Sequence, residues 1–372
     1  MEVKKLGDIC ESLDNKRIPI SKEKREPGSI PYYGATGIVD HVKDYIFDEK
    51  LLLVGEDGAD WSANANTAYI INGKSWVNNH AHVLRCTKIN DVFLKEYLNY
   101  QDFSDLVGGS TRGKLTKGDL EKILVPFPSL NTQQKIVSIL SSIDESIKKT
   151  DQLIEKTEKL KNGLIIDIFS KKQEYKKVKI NTISDITSSK RIMVSDYVEN
   201  GIPFYRSTEI IKKSKNIKIL NDIFITKEKF NEIKAKFGAP QKNDILVSSV
   251  GTIGDIYLVQ DEEFYFKDGN LLWIRDINQN ILPMYLKTIL SSKLYRDKLN
   301  IIAGGSSQKA LTIEKFGVVE INVPSIEEQK NICDIIGTID SKLNIEKHNK
   351  LKLLTIKNGL MNDIFSQKVE VN

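Results

Sequence analysis

A chain of 372 residues is too long for one ordinary hydrophobic core, so two domains are expected. Its composition, 40% hydrophobic and 28% charged, is typical of a globular protein, and no run of about 18 apolar residues predicts a transmembrane helix. The net charge of +5 and pI of about 8.7 permit nucleic-acid binding without requiring it, and three widely separated cysteines disfavour a zinc ribbon or disulfide framework.

The first 128 residues predict a mixed α/β domain of short strands. The N-terminal segment is polar and has no signal-peptide core, which, like the cysteine spacing, predicts a cytoplasmic protein. Strands are predicted at residues 51–54, 68–71 and 123–127, with glycine, asparagine and aspartate between them.

Residues 129–172 predict a long helix. Apolar residues recur at steps of three and four along it, which places them on one stripe, and Thr150 and Thr157 weaken that stripe locally. The positions predicted to pair with another helix are Ile136, Ile143, Ile147, Leu160 and Leu164.

The second half of the chain repeats this order. A lysine-rich linker is predicted at residues 171–179, then a second mixed α/β domain over 173–324 with strands at 244–247, 264–266 and 318–323. A second helix is predicted over 325–372, where Ser325 and Glu328 have capping-box spacing and the polar residues 346–350 would allow a bend. Its predicted pairing positions are Ile332, Ile339, Leu343, Leu360 and Ile364, with Leu351, Leu354 and Ile356 on the same stripe.

An internal repeat relates the two halves. Residues 108–170 align with 304–366 without a gap at an offset of 196, and 21 of the 63 aligned positions are identical. Earlier segments match more loosely: residues 30–33 resemble 202–205, and Tyr97-Leu98 resembles Tyr285-Leu286. The duplication therefore predicts one scaffold that presents two different surfaces.

The helical tails are expected to pair with each other. About 38 helical residues span roughly 55–60 Å, and a helix of that length with one apolar stripe needs a partner. The sequence predicts an α/β (α+β) protein: two similar domains joined by two antiparallel coiled-coil helices with pseudo-twofold symmetry. The alternative is that each helix packs on its own domain.

A search for catalytic motifs finds none. The sequence has no Pro-Pro pair of the kind an amino-methyltransferase uses to hold a flipped base, and no glycine fingerprint for S-adenosylmethionine. Glu-x-Lys triplets occur only in lysine-rich stretches, where chance explains them. Residues 108–114 fit GxxxxGK, but Leu115 follows in place of serine or threonine, so a nucleotide-binding loop is not expected.

The histidines offer a weak metal signal. His80 and His82 would share one face of a strand, but no third ligand is apparent, and Asn270 lies near the equivalent place in the second half. No nucleophile elbow supports a Ser-His-Asp hydrolase. We therefore expect no catalytic residue, no metal and no cofactor.

Polar and aromatic loop segments are the candidates for DNA contact, because hydroxyl, amide and guanidinium groups read base edges and phosphates. Each could equally be an ordinary solvated loop. In the first half they are Lys16, Arg17, Tyr32, Tyr33, Thr36, Ser110, Thr111, Arg112 and Lys114. In the second half they are Lys190, Arg191, Tyr205, Arg206, Ser207, Ser248, Ser249, Thr252, Ser306, Ser307, Gln308 and Lys309.

The repeated tails resemble those of the specificity subunit of type I restriction–modification systems. The resemblance rests on Gly-Gly-Ser…Leu-Thr, the Pro-Ser…Gln junctions and the Asn-Gly-Leu…Asp-Ile-Phe ends. The openings at residues 6–9 and 183–186, and the segment 202–206, also resemble the family's target-recognition domains.

The resemblance implies how such a chain would act. Each of two target-recognition domains would read one half of a split site on double-stranded DNA, and the paired helices would act as a spacer. They would also dock two modification subunits that methylate adenine, and restriction subunits that cut DNA using ATP would join the complex. The alternatives from the residues alone are a DNA methyltransferase or nuclease with an unfamiliar site, or a coiled-coil adaptor that binds no DNA.

Overall fold

The computed structural model describes residues 2–107, 113–171, 175–220, 223–267, 269–304 and 309–366. It divides into two compact units. Unit 1 comprises residues 1–151 and 348–372, and unit 2 comprises residues 152–347. Each unit therefore combines a globular part with parts of both long helices.

The globular part of unit 1 contains two four-stranded sheets and a two-stranded ribbon. Its strands are β1 Val3–Lys5, β2 Cys10–Ser12, β3 Pro27–Gly34, β4 Gly37–Val42, β5 Phe47–Asp48, β6 Leu51–Gly55, β7 Ala68–Ile71, β8 Lys74–Val77, β9 Ala81–Cys86 and β10 Leu124–Pro126. Its helices are α1 Leu6–Ile9, α2 Asp91–Tyr100 and α3 Lys117–Lys122, with 3₁₀ turns at Asp14–Lys16, Lys22–Lys24 and Ser104–Leu106. The long helix α4, Leu130–Lys171, follows.

The strand order in unit 1 is β2-β9-β6-β7 in one sheet and β4-β3-β8-β5 in the other, while β1 pairs with β10. All pairings are antiparallel except β3 with β8, which is parallel. Successive strand residues point to opposite faces, so β6 is buried on both. Leu52 and Val54 pack in the core that includes Ile136 and Met361 of the long helices, whereas Leu51 and Leu53 pack in a second core.

Unit 2 repeats the first sheet and the two-stranded ribbon of unit 1, but its second sheet has a different strand order. Its strands are β11 Lys176–Lys179, β12 Asp185–Thr187, β13 Tyr197–Val198, β14 Ile202–Tyr205, β15 Phe224–Ile225, β16 Ile245–Ser248, β17 Ile256–Leu258, β18 Tyr265–Phe266, β19 Leu271–Arg275 and β20 Glu320–Val323. Its helices are α5 Ser207–Ser214, α6 Lys227–Phe237, α7 Pro283–Leu290, α8 Lys293–Ala303, α9 Ile313–Gly317 and α10 Ile326–Phe365, with 3₁₀ turns at Ile180–Thr182 and Val194–Asp196.

The order β12-β19-β16-β17 matches that of β2-β9-β6-β7, and β11 pairs with β20 as β1 does with β10. The second sheet, β13-β15-β14-β18, has β13 at one edge and no counterpart of β5 at the other. Strand β14 pairs in parallel with β18, as β3 does with β8 in unit 1. A buried glutamine also recurs: Gln133 accepts a hydrogen bond from the Asn90 backbone N–H, and Gln329 accepts one from that of Leu282. The duplication predicted from the sequence is therefore present in the fold.

Within each unit the two helix segments run antiparallel. In unit 1, Lys357 contacts Asp144 at 2.7 Å and Lys350 contacts Asp151 at 2.7 Å, so residue numbers rise on one helix as they fall on the other. In unit 2, Lys161–Asp340 and Lys347–Glu158 show the same order, at 2.5 and 2.8 Å. Helix α10 is continuous through residues 346–350, although the polar sequence there would allow a bend.

The helix stripes differ from the predicted ones at several positions. Leu160 is 58% exposed, so its assignment to the pairing stripe is wrong; Leu351, Leu354 and Ile356 are exposed too. Thr157 is buried and Lys161 forms an ion pair, so polar residues occupy positions that the periodicity assigns to apolar ones. The other predicted positions are buried or half-buried: Ile136, Ile143, Ile147, Leu164, Ile332, Ile339, Leu343, Leu360 and Ile364.

Two further expectations need correction. The predicted linker at 171–179 includes the paired strand β11, because Lys176 to Lys179 hydrogen-bond with β20. The loose match of Tyr97 with Tyr285 is displaced by one helical turn. Counted from the backbone groups that bind Gln133 and Gln329, Phe93 is the counterpart of Tyr285.

Phe93 packs against Phe365 as Tyr285 packs against the equivalent Phe169, although Tyr97 contacts Phe365 too. None of the helices in the described part of the chain is long and apolar enough to cross a membrane.

Candidate nucleic-acid interface

Loops gather at one end of the sheets in unit 1. We call this surface the first rim; it comprises residues 34–37, 56–66, 78–80 and 113–114, which follow β3, β6 and β8 and precede α3. Backbone hydrogen bonds join these segments: Glu56 N–H donates to the His80 carbonyl, and Leu115 N–H to that of Glu56, both at 2.9 Å. An isolated bridge pairs Asp57 with Lys114. The rim is therefore tied to the sheets at several points.

Close packing of the loops requires glycine at the end of β6. A Cβ atom on Gly55 would lie 2.4 Å from the Cβ of Ala59 and 3.2 Å from the Ala35 carbonyl oxygen. Trp61 closes the same turn, because its indole N–H donates to the Gly55 carbonyl at 3.1 Å. A side chain at position 55 would push these segments apart.

A network of charged groups lies beneath the first rim. The Arg17 guanidinium bonds Glu56 and the Ala81 carbonyl and lies 3.4 Å from Asp14. His82 is 1% exposed; its Nδ1 lies 2.6 Å from Asp14 and its Nε2 lies 2.8 Å from the Leu115 carbonyl. This network connects the turn after β2, the end of β6 and the start of β9.

Both carboxylates of the network are stabilised in their charged form. Burial opposes ionisation of Asp14, but hydrogen bonds from His82 and the Val83 backbone outweigh it, and the pKa of Asp14 lies below its usual value. Burial likewise opposes ionisation of Glu56, while Arg17 and Lys114 lower the pKa of Glu56 overall. Lys114 lies 2.9 Å from Glu56 and is 51% exposed, so it can also reach solvent.

Asp14, Glu56 and His82 bring three metal-ligand types within 4.8 Å of one another, which the sequence did not predict. The guanidinium of Arg17 already supplies the positive charge that the two carboxylates need. Both nitrogens of His82 are also engaged. The chemistry of this cluster therefore fits an ion-pair network better than a metal site, and His82 has no ring nitrogen left to act as a general base.

His80 lies apart from this network, at the surface of the first rim. Its Nδ1 lies 2.5 Å from Asp57 Oδ1, and its side chain is 46% exposed. Its backbone N–H donates to the Asn78 side chain at 2.8 Å, and the Asn78 N–H donates to the Tyr33 carbonyl at 3.0 Å. The ring is thus presented on an anchored turn.

Unit 2 has an equivalent set of loops, the second rim: residues 206–207, 249–255, 267, 269–270 and 309–310. Ser249 N–H donates to the Asn270 carbonyl at 3.0 Å, and Leu311 N–H to that of Ser249 at 2.8 Å. A bridge pairs Val250 with Ala310. These bonds reproduce the pattern of the first rim with different side chains.

The predicted DNA contacts fall into four groups by position. Side chains exposed at the surface are Lys16, Thr36, Lys114, Lys190, Arg191, Thr252 and Lys309. Half-buried ones are Arg17, Tyr33, Arg206 and Ser207. Those in the interior are Tyr32, Tyr205, Ser248 and Ser249. Outside the described residues lie Ser110, Thr111, Arg112, Ser306, Ser307 and Gln308.

The interior group is a correction to the predicted interface. Tyr32 is 1% exposed and its hydroxyl accepts a hydrogen bond from the Ile20 N–H, while the Ser248 hydroxyl donates to the Thr252 carbonyl. Tyr205 packs against Phe264, and Ser249 is buried. These groups satisfy internal bonds or fill cores and do not offer their side chains to a ligand. The half-buried Arg17 guanidinium also forms its hydrogen bonds within the protein, to Glu56 and the Ala81 carbonyl.

The predicted DNA contacts omit two surface residues of the first rim, Asn79 and His80. Asn79 is exposed beside His80. The sequence did contain a signal, since residues 78–80 form a short polar run directly between two strands. Residues 78–80 can be recognised as part of the first rim only from the fold, in which β6 and β8 end at the same edge.

The family model and the curated relatives that match this chain belong to one protein family. A family model described as the type I restriction modification DNA specificity domain matches residues 1–159 and again 172–355. A Haemophilus influenzae protein assigned as a type I restriction enzyme specificity subunit is 32% identical over 362 residues, covering 92% of this chain and 89% of that protein. The MjaVIII specificity subunit of Methanocaldococcus jannaschii is 21% identical, covering 100% of this chain and 93% of that protein.

Solved structures share the fold. The S subunit of a type I restriction–modification system from M. genitalium aligns with a TM-score of 0.62 and 17% identity, covering 100% of this chain and 96% of that one. A chain from a structural study of complex assembly and conformational transition in the type I system aligns with a TM-score of 0.57 and 16% identity, covering 98% and 97%.

Proposed function

Because the chain belongs to the type I restriction–modification DNA specificity family, we propose that it recognises a bipartite sequence in double-stranded DNA and organises a modification and restriction complex. One observation carries the proposal: two family matches are accompanied by two units that share a four-stranded sheet, a ribbon and a parallel strand pair, each with a rim of anchored, polar loops. Each rim would read one half-site, and different side chains on one scaffold would give the half-sites different sequences.

The surface charges support this role. The first rim exposes Lys114, and the second rim exposes Lys309 and Lys267, which suit contact with phosphates. Lys16, Lys190 and Arg191 are further exposed cations in the globular parts. Base readout would then depend on the rim side chains, with the cations supplying salt-dependent affinity.

Modification subunits would dock on the long helices. In unit 1 the apolar side chains of Ile139 and Ile356 are 41% and 51% exposed; their repeat equivalents in unit 2, Ile335 and Leu160, are 49% and 58% exposed. Exposed apolar residues repeated at matching positions suit two copies of one partner. This arrangement supports two modification subunits, which would carry the methyl donor and methylate adenine. Restriction subunits would join to cut DNA using ATP.

In this proposal the chain itself carries no catalytic group and needs no cofactor, and the complex acts in the cytoplasm. The buried His82 is not available as a general base, because its two ring nitrogens bond Asp14 and the Leu115 carbonyl. The alternative of an enzyme with an unfamiliar site predicts methyl transfer or cleavage by the purified chain alone.

The test is reconstitution with the modification subunits of the same restriction–modification system. Selection from a randomised duplex library should yield a split site, and methyl transfer should require both components. Selection of no sequence, or methylation by the chain alone, would refute the proposal. For docking, Ile139→Lys with Ile335→Lys should abolish co-purification, whereas Val39→Lys, at an exposed apolar residue of β4, should not.

A further inference from the structure

Three positions occupy the same place in the two rims but carry different side chains. The bridge of Asp57 with Lys114 corresponds to that of Val250 with Ala310. The carbonyl of His80 accepts from Glu56 N–H as that of Asn270 accepts from Ser249 N–H. The correspondence follows from backbone hydrogen bonds, so it does not depend on sequence similarity, which is absent at these positions.

From this comparison we propose that His80, Asp57 and Lys114 determine sequence specificity in unit 1, and that Asn270 and Val250 do so in unit 2. The inference rests on the proposed function and assigns the residues that carry it out. These positions are tied to the sheets by backbone bonds, so their side chains can vary without altering the scaffold. Such preorganised positions are where a difference in side chain becomes a difference in recognised base.

The chemistry of the first set suits guanine. Asp57 accepts from Nδ1 of His80 and so orients the ring, while Nε2 has no hydrogen-bond partner among the described residues. Lys114 places an ammonium group on the strand segment bridged to Asp57, with about half its side chain exposed. Guanine presents two acceptors, N7 and O6, in the major groove, which match the Lys114 ammonium group, and its paired cytosine presents an N4 donor, which matches Nε2 of His80 as an acceptor.

The second set suits a different base pair. The exposed Asn270 offers both a donor and an acceptor, which match N6 and N7 of adenine. Val250 is 40% exposed and could contact a thymine methyl group. Ala310, in place of Lys114, adds no charge. The two half-sites should therefore differ at the base read by this position, with guanine in the first and adenine in the second.

The test exchanges histidine and asparagine at the two equivalent positions, one at a time, in the full chain assembled with its modification subunits. In His80→Asn, the preference for guanine over adenine at one position of the first half-site should fall at least about tenfold, and the second half-site should stay unchanged. Asn270→His should weaken the preference for adenine in the second half-site alone. His41→Asn is the matched control, since His41 is an exposed histidine on β4 of the same unit.

Selection from a randomised duplex library reads both half-sites in one experiment. An unchanged first half-site in His80→Asn overturns the inference while leaving the proposed function intact. Loss of both half-sites in His80→Asn, with His41→Asn normal, also overturns it, because the residue would then support the fold. If the unmodified complex selects no split site, the proposed function fails and this inference fails with it.

Discussion

Lys16 and Arg17 are neighbours in the sequence but have different environments in the structure. The Lys16 side chain is exposed, while the Arg17 side chain is 13% exposed and bonds Glu56 and Ala81. The sequence suggested one basic pair facing DNA, because charge alone does not reveal a buried carboxylate partner 39 residues away. Of these two residues, only Lys16 remains a candidate for phosphate contact.

The first prediction separates these two residues by substitution. Arg17→Ala should lower the free energy of unfolding by about 2–4 kcal/mol, because Glu56 and Asp14 would lose their buried partner. Lys16→Ala should leave stability unchanged and reduce the salt dependence of DNA binding by up to about one unit of log–log slope. Urea denaturation and binding at several salt concentrations measure the two effects. Equal stability loss in both variants would contradict the environments described.

The second prediction concerns acid stability. The folded-state pKa values of Asp14 and Glu56 are lowered, so both groups stabilise unit 1 above their unfolded pKa values, near 4. That contribution should be lost as the pH falls below about 4 and through the lowered folded values. Glu56→Gln should therefore lose stability at pH 7 and show a weaker decrease between pH 5 and 3.

Urea denaturation across that range checks the acid prediction. Glu23→Gln, a change at an exposed carboxylate of the same unit, is the control and should follow the unmodified chain. A pH dependence in Glu56→Gln as steep as that of the unmodified chain would show that other carboxylates control the transition.

At the level of elements, the sequence predicted the buried strands well and the helix stripes less well. The apolar runs before Glu56 and Ser248 form β6 and β16, because a strand buried on both faces needs no polar alternation. The predicted apolar stripe fails at Leu160, because Thr157 and Lys161 lie on the inner face of the helix at this point. Periodicity cannot reveal that a lysine is accommodated by a carboxylate on another helix.

The third prediction compares two lysines at equivalent positions of the repeat. Lys357 contacts both Asp144 and Glu96, at 2.7 and 3.2 Å, whereas Lys161 contacts Asp340. Burial opposes the charge of Lys357, but the two carboxylates raise its pKa overall. Lys357→Met should therefore destabilise the chain more than Lys161→Met, by about 1–2 kcal/mol, because Glu96 is only 4% exposed and would lose one partner.

A double-mutant cycle tests the assignment of that difference. Adding Glu96→Gln to Lys357→Met should recover part of the lost stability, since the buried charge is then removed. The same Glu96→Gln change combined with Lys161→Met should be additive, because Lys161 does not contact Glu96. Equal costs for the two lysine variants would mean that Glu96 contributes little to the difference.

For the whole molecule, the repeat predicted two similar units and two long helices, but not the composition of the rims. The first rim collects residues from the turns after Gly34, Gly55 and Val77 and from the segment at Lys114. Their proximity depends on the strand order β4-β3-β8-β5 and β2-β9-β6-β7, which the sequence does not specify. The sequence indicated polar and aromatic loop segments as candidates, and the fold separated their surface residues from buried ones.

The last prediction concerns the segments of α4 and α10 that contribute to both units. If the paired helices act as a spacer between the half-sites, lengthening both should lengthen the unread gap. Four residues add about 6 Å to a helix, while DNA rises about 3.4 Å per base pair, so the gap should grow by one or two base pairs. Four residues are also close to one helical turn, so the interior stripe nearly keeps its register.

The insertions belong after Leu153 in α4 and after Asn349 in α10, both exposed positions near the division between the units. Sequencing of methylated sites in cells that carry the variant and its modification subunits measures the result. The half-site sequences should stay the same, because the rims are untouched. A changed half-site with an unchanged gap would mean that the helices do not set the spacing. An insertion in α4 alone should abolish methylation, since Lys161 and Lys357 cannot both keep their antiparallel ion-pair partners when one helix is longer.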